Sequence, residues 1–171
     1  WTRARSRACS EDGGSLIIAV AGKGGTGKTT LTALIVRELR ERGEVPILAV
    51  DADANANLAE SLGLEVRETV GQMLARFVGS KAGIPPGMTK EAYLEYQLHG
   101  LLVEAAGLDL LVMGRGEGPG CYCYPNLVLR KFVDELAPNY VHLVIDNEAG
   151  MEHLSRRTTD RVDALLLVSD Y

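Results

Sequence analysis

Residues 22–29 read GKGGTGKT, a glycine-rich segment that ends in a lysine and a threonine. It follows a short apolar run, residues 16–21, and precedes residues 28–42, where apolar side chains recur at helical spacing. Glycines at such a position let backbone N–H groups turn inward around phosphate oxygens, and the helix N-terminus adds a partial positive charge. The spacing of these glycines ahead of Lys28 and Thr29 predicts a phosphate-binding loop; the alternative is a glycine-rich turn without a ligand.

Two side chains of this loop have expected roles in binding a nucleoside triphosphate. We expect Lys28 to reach the β- and γ-phosphates and the Thr29 hydroxyl to ligate Mg²⁺. A nucleoside triphosphate and Mg²⁺ are therefore the predicted ligands. The predicted nucleotide-binding residues are Gly24, Gly25, Thr26, Gly27, Lys28, Thr29 and Thr30.

A second lysine, Lys23, precedes the glycine pair. The pattern KGGTGKT resembles the deviant Walker A motif of the family that includes the nitrogenase iron protein, the septum-site and plasmid-partition ATPases, and the arsenite and tail-anchor ATPases. This resemblance implies a homodimer that sandwiches the nucleotide, in which Lys23 reaches the phosphates of the partner. It thus makes Lys23 a catalytic candidate beside Lys28, while the alternative for Lys23 is a solvated surface charge.

Carboxylates follow two of the predicted strands. Asp51 and Asp53 come after the second strand and Asp146 ends the fourth, where ligands of open α/β sheets bind. Resemblance to the switch regions of the family implies that Asp53 orients or activates the attacking water and that Asp51 and Asp146 lie at the magnesium ion. Asp146 then matches the Walker B aspartate, and Gly150 the switch II glycine. Asp51 alone could instead cap a helix or a turn.

The remaining chain alternates apolar strands with helical segments, which predicts a doubly wound, mostly parallel α/β sheet of the P-loop NTPase type. Thr69 and Gln72 resemble a capping box that begins one of these helices. The predicted strands are residues 16–21, 47–50, 108–113, 141–145 and 164–168, and the predicted helices are residues 28–42, 55–62, a segment from 70, 89–105 and 125–136.

Composition excludes several classes of protein. The chain has 171 residues, 46% of them hydrophobic, and a formal net charge of -5, which indicates one globular domain without the basic surface typical of nucleic-acid binding. No apolar run approaches the roughly 18 residues that span a bilayer. Three cysteines are too few for a disulfide scaffold. We therefore expect a cytoplasmic protein with neither nucleic acid nor membrane as partner.

The two ends of the chain are expected to differ from the domain itself. Residues 1–14 contain three arginines but no following apolar region and cleavage site, so we interpret them as a non-native or disordered extension and not as a signal peptide. Residues 15–171 are then an incomplete P-loop NTPase domain, truncated at the C-terminus. The family resemblance implies that the adenine-binding segment would follow Tyr171.

Cys121 and Cys123 form a separate candidate site. Thiolates two residues apart can face the same side of an extended segment and bind a zinc-like or nickel-like ion. A closed tetrahedral thiolate site needs four ligands, and a two-fold dimer would supply two from each subunit. The alternative is that both cysteines are small buried apolar residues.

The sequence GRGEGPGCYC at residues 114–123 and DNEAGMEHLSR at residues 146–156, together with the loop, resembles the carbon monoxide dehydrogenase maturation ATPases. These CooC-type accessory proteins insert nickel, so the resemblance implies an ATP-dependent homodimeric metallochaperone with carbon monoxide dehydrogenase as recipient. It also implies one Ni²⁺ or Zn²⁺ shared by the cysteine pairs of both subunits. The alternatives are an ATP-dependent reductase carrying an iron–sulfur cluster, and a positioning ATPase of the partition or septum type.

One histidine and two glutamates could also contribute to the site. His153 could bind a metal or support the switch, and Glu148 and Glu152 could signal to a partner, but each has a structural or solvated alternative of equal weight. His142, beside a buried strand, is expected to be structural.

Overall fold

The computed structural model describes residues 15–79, 84–115, 123–147 and 162–170, with only the backbone described at residues 78–79 and 123–129. The strands are β1 (Leu16–Gly22), β2 (Ile47–Asp51), β3 (Val103–Ala105), β4 (Leu108–Val112), β5 (His142–Asp146) and β6 (Ala164–Val168). The helices are α1 (Lys28–Glu41), α2 (Leu58–Leu62), α3 (Val70–Gly79), α4 (Lys90–His99) and α5 (Cys123–Leu136), followed by a 3₁₀ turn at Ala137–Asn139.

The six strands form one sheet in the order β3-β4-β2-β5-β1-β6. Every neighbouring pair is parallel except β3 and β4, which are antiparallel. The predicted mostly parallel sheet with flanking helices is therefore confirmed. Because parallel strands end at the same edge, the loops after β1, β2 and β5 meet there.

The central strands are buried on both faces, as expected when helices cover a parallel sheet. All five residues of β2 and all five of β5 are buried. Alternate residues of β2 belong to different cores. Ile47 and Ala49 pack with Val36 of α1, whereas Leu48 and Val50 pack with the helices on the other face. The two apolar layers place α1 beside the carboxyl ends of β2 and β5.

Three local predictions have clear outcomes. The capping box is confirmed, since Thr69 N–H donates to Gln72 Oε1 at 2.9 Å and Gln72 N–H donates to Thr69 Oγ1 at 3.3 Å. The predicted helix at residues 89–105 is wrong in its last part. The helix ends at His99, and β3 then pairs with β4 across a turn at Gly107, which has φ +75°. The helix predicted at residues 55–62 begins only at Leu58.

Strand β6 differs from the other long strands because it lies at the edge of the sheet. Leu165, Leu166 and Leu167 are 48%, 38% and 65% exposed, respectively. Of the helices that the structure describes, none is both long and apolar enough to cross a membrane.

Candidate functional site

The phosphate loop packs closely against the end of β6. Gly22 has φ +154°, and a Cβ at this position would lie 2.1 Å from the carbonyl oxygen of Val168. No side chain fits this gap, so the first glycine of the motif lets the loop leave β1 in contact with its neighbour. At the other end of the loop, Gly27 has φ +89° and begins α1 as its N-cap. The predicted loop between strand and helix is therefore present.

Lys28 folds back over this loop. Its side chain is only 6% exposed, and Nζ donates a 3.1 Å hydrogen bond to the carbonyl oxygen of Lys23. The same oxygen accepts a 2.8 Å bond from Thr26 Oγ1. The Lys28 ammonium thus lies within the loop, whereas the Lys23 side chain is exposed to solvent. Thr30 is also exposed, in the first turn of α1.

Thr29 and Asp146 are in direct contact. Thr29 Oγ1 donates a 2.6 Å hydrogen bond to Asp146 Oδ2, which links the first turn of α1 to the end of β5. Thr32, fully buried one turn further along α1, lies with its Oγ1 3.3 Å from Asp146 Oδ1 and 2.9 Å from the carbonyl oxygen of Lys28. Sequence reasoning missed Thr32, although its position four residues after Lys28 places both on the same face of the helix.

Asp51 and Asp146 lie side by side on neighbouring strands, and neither is exposed. Burial raises the pKa of Asp51 to about 6, although backbone hydrogen bonds from Leu58 and Asp53 oppose the shift and the charge of Asp146 adds to it. Burial also raises the pKa of Asp146, against the hydrogen bonds from Thr29 and Thr32 and the charge of Lys28. Two adjacent buried carboxylates favour a cation between or beside them.

A polar pocket of about 370 Å³ opens between the phosphate loop and the loop that follows β2. Its lining residues are Gly24, Gly25, Gly27, Lys28, Thr29, Asp53, Asn55 and Asn57. The loop glycines and a buried ammonium fit phosphate oxygens, and the hydroxyl of Thr29 with the carboxylate of Asp146 is an oxygen donor set that fits Mg²⁺. Sequence reasoning missed Asn55 and Asn57, because a single asparagine in a loop carries no pattern.

The match to known proteins agrees with this geometry. Residues 17–166 match the family model described as the CobQ/CobB/MinD/ParA nucleotide binding domain. The chain belongs to this family. In this member of the CobQ/CobB/MinD/ParA family, the matched residues include at least part of each of the six strands and every residue that lines the pocket.

This member of the family is similar to two curated relatives. It is 51% identical over 158 residues to an uncharacterized ATP-binding protein of Methanocaldococcus jannaschii, covering 91% of this chain and 62% of that protein. It is 32% identical over 162 residues to the carbon monoxide dehydrogenase accessory protein CooC of Rhodospirillum rubrum, covering 88% of this chain and 61% of that protein. The chain therefore spans about three fifths of the length of these relatives.

The fold also matches a solved structure. Cobyrinic acid a,c-diamide synthase of Mycobacterium smegmatis, with a bound ATP analogue and magnesium, superposes with a TM-score of 0.63 at 22% identity. The match covers 91% of this chain and 58% of that one. At this identity the likeness establishes the P-loop NTPase fold alone.

Asn147, directly after Asp146, is a further residue of this site that sequence reasoning did not single out. Its backbone N–H and its Nδ2 both donate to the carbonyl oxygen of Val20, at 3.0 and 3.1 Å. The side chain is buried, and its Oδ1 has no hydrogen-bond partner among the residues that the structure describes. Asn147 thus joins the end of β5 to the strand that leads into the phosphate loop.

Several predicted residues of this family member fall outside the described ranges: Cys121, Gly150, Glu148, Glu152 and His153. Cys123 is the first residue of α5, at which only the backbone is described. No group of three or more His, Cys, Asp or Glu side chains that could hold a metal occurs within the described part of the chain. The shared metal site therefore stays a prediction.

His142 is the first residue of β5, so it lies at the amino ends of the parallel strands, away from the phosphate loop. It is buried, and its Nε2 lies 2.7 Å from Oε2 of Glu44. Its position and partner agree with the structural role expected for it.

Proposed function

We propose that the protein is a Mg²⁺-dependent ATPase of the CobQ/CobB/MinD/ParA family. The observation that carries this proposal is the 2.6 Å contact between Thr29 and Asp146 beneath a pocket that also holds Lys28. Glycine N–H groups and Lys28 would bind the phosphates. Thr29 and Asp146 would hold Mg²⁺, with the charge of Asp51 beside them. The metal neutralises charge that develops on the phosphates.

Asp53 is the residue we propose to orient the attacking water. It lines the pocket opposite the glycines and lies close enough to Asp146 for its charge to raise the pKa of that carboxyl. Its position is the support for this role, since a carboxylate within hydrogen-bond reach of the nucleophile can position it or accept its proton. Asp53→Asn is therefore expected to lower kcat with little effect on ATP affinity.

We further propose that the active form is a homodimer in which Lys23 acts on the nucleotide of the partner. The exposed side chain of Lys23 supports this role, because a residue that reaches another molecule has to leave its own loop. A cation supplied in trans can contribute on the order of 10³ to 10⁵ in rate. Lys23→Ala is expected to abolish turnover while ATP binding is largely kept.

Mixing two inactive variants tests the arrangement in trans. In a mixed dimer of Lys23→Ala and Asp53→Asn subunits, the site on the first subunit has its own Asp53 and receives Lys23 from its partner. Random mixing should restore roughly a quarter of the wild-type activity, because half of the dimers are mixed and each has one complete site. Lack of any restored activity would show that Lys23 does not act across a dimer.

The dimer would act as a metallochaperone that assists nickel insertion into carbon monoxide dehydrogenase. The 32% identity to an accessory protein of that enzyme supports this finer proposal. Cys121 and Cys123 of both subunits would share one Ni²⁺ or Zn²⁺ as cargo, and ATP binding would change the distance between the two cysteine pairs. Nucleotide-dependent loops commonly couple such sites to the γ-phosphate.

Anaerobic native mass spectrometry tests the cargo site. The protein is measured with Ni²⁺ or Zn²⁺, with and without ATP, beside a variant in which Cys121 and Cys123 are both serine. One metal ion per two chains, absent in the variant, is the expected result. An ATP-dependent dimer that holds no metal would contradict nickel delivery and favour a positioning ATPase, and a coloured iron–sulfur cluster would favour a reductase.

A further inference from the structure

The loop between β2 and α2, residues 52–57, is closed at both ends by a single side chain. Asp51 Oδ1 accepts a 3.1 Å hydrogen bond from the backbone N–H of Asp53, and Oδ2 accepts a 2.9 Å bond from the backbone N–H of Leu58. Asp51 itself is fully buried. One carboxylate thus fixes the start of the loop with one oxygen and the first residue of α2, directly after the loop, with the other.

The first N–H group of α2 is bound by a side chain that is not at the N-cap position. Asn57 occupies the N-cap position, where an asparagine side chain commonly accepts a helix N–H, but it makes no such bond. Asp51, seven residues earlier, accepts the N–H of Leu58 instead. The Asn57 carboxamide is therefore not used by the helix, and Asn57 lines the polar pocket.

Inside the loop, Asp53 makes two further hydrogen bonds. Asp53 Oδ1 accepts the N–H of Asn55 at 2.8 Å, and the Asp53 carbonyl oxygen accepts the N–H of Ala56 at 3.1 Å. Ala56 has φ +55°, a left-handed conformation that alanine rarely adopts. Such a conformation persists only where the surrounding structure holds it, and it is common at binding sites.

We propose that Asp51 is a positioning residue, which holds residues 52–57 in one conformation so that Asp53 and Asn57 face the phosphate loop. Each of its oxygens accepts a hydrogen bond from a backbone N–H group. We therefore assign Asp51 to arranging the pocket wall opposite Lys28, and leave the ligand role at the metal ion to Thr29 and Asp146. The kinetic part of this inference rests on the proposed role of Asp53, whereas the structural part does not.

Amide hydrogen exchange in EDTA, without nucleotide, tests the structural part. In the wild-type protein the amides of Asp53 and Leu58 should be protected. Asp51→Asn keeps the shape but replaces one acceptor oxygen with a donor, so at least one of these amides should exchange roughly tenfold faster or more. Ser61→Ala removes a different hydrogen bond of α2, from Ser61 Oγ to the Asn57 carbonyl oxygen, and should leave the Asp53 amide unchanged.

The wild-type measurement decides the matter even if Asp51→Asn fails to fold. Rapid exchange of both amides in the wild-type protein would overturn the proposal, as would unchanged exchange in a folded Asp51→Asn variant.

Steady-state ATP hydrolysis tests the kinetic part. Asp51→Asn should lower kcat roughly tenfold to a hundredfold, because a misplaced group loses that much rate, while KM for ATP and the Mg²⁺ requirement stay within about threefold. The double variant with Asp53→Asn should be no slower than Asp53→Asn alone. A raised Mg²⁺ requirement, or losses that multiply, would overturn the positioning role and assign Asp51 to the metal. If Asp53→Asn alone keeps full activity, the proposed role of Asp53 is wrong, and the exchange result still decides the role of Asp51 in the loop.

Discussion

Thr29 Oγ1 donates a 2.6 Å hydrogen bond to Asp146 Oδ2, although 117 positions separate the two residues in the chain. The bond joins the start of the first helix to the end of a central strand, beside the fully buried Asp51. A hydroxyl and two carboxylates are thereby gathered at one point of the sheet edge. This contact leads to the first of four predictions.

Asp146→Asn should raise the Mg²⁺ concentration needed for half-maximal ATP hydrolysis about tenfold or more. Asparagine still offers Thr29 an acceptor oxygen, but it lacks the negative charge that attracts Mg²⁺. Even the loss of an outer-sphere partner costs a metal site about 10-fold to 100-fold in affinity. Magnesium titrations of ATPase activity measure the effect. Glu60→Gln, which removes an exposed carboxylate of α2, is the matched control. An unchanged Mg²⁺ requirement in Asp146→Asn would contradict its role as a ligand.

Lys28→Met should weaken ATP binding roughly 10-fold to 150-fold, because the phosphates lose a hydrogen bond from a charged group. Methionine keeps most of the aliphatic length of this 6% exposed side chain, so the fold should survive. Titration with a fluorescent ATP analogue measures the affinity. The exposed Lys90→Met at the start of α4 serves as the control. Equal affinities for the two variants would show that Lys28 does not contact the nucleotide.

Gly22→Ala should destabilise the protein by about 1–3 kcal/mol, as overpacking typically does. The added Cβ would lie 2.1 Å from the carbonyl oxygen of Val168, so the loop would have to move away from β6. Gly43→Ala is the comparison: φ there is +74° and the space around the added Cβ is open, so only backbone strain is introduced. Denaturant unfolding should show the larger loss for Gly22→Ala, and the reverse order would refute the close packing.

Tyr140→Phe should reduce stability near neutral pH by about 0.5–1.5 kcal/mol, because Tyr140 donates a 2.6 Å hydrogen bond to Asp109 Oδ2. Burial, and then the bond to Asp109, raise the pKa of Tyr140 above its ordinary value of 10.0. Below that value the tyrosine is neutral in both states and its contribution is complete. At higher pH the unfolded chain ionises first, so the contribution is lost.

Denaturant unfolding at pH 8 and pH 10.5 measures this dependence for both proteins. The stability difference between wild type and Tyr140→Phe should shrink at the higher pH. A difference that stays constant would mean that the tyrosine ionises equally in both states.

The sequence by itself determined the phosphate loop and much of the architecture. Local chemistry fixed these features: glycines that allow close approach and positive φ, apolar runs of strand length, and the Thr69–Gln72 capping box, which the structure confirms. Where local pattern was ambiguous the prediction failed. Residues 103–105 continue an apparently helical pattern, but pairing with β4 decides in favour of a strand.

Only the tertiary structure decided which polar groups meet. Thr32 has only its helical spacing from Lys28 as a sequence signal, and Asn57 has none. Both reach the site because the sheet order sets β5 between β1 and β2. The sequence likewise left Asp51 open between cap and metal ligand, and only the structure shows that it accepts the backbone N–H groups of Asp53 and Leu58. The physical reason is that a motif specifies contacts within a few residues, whereas burial and strand register determine contacts between residues far apart in the chain.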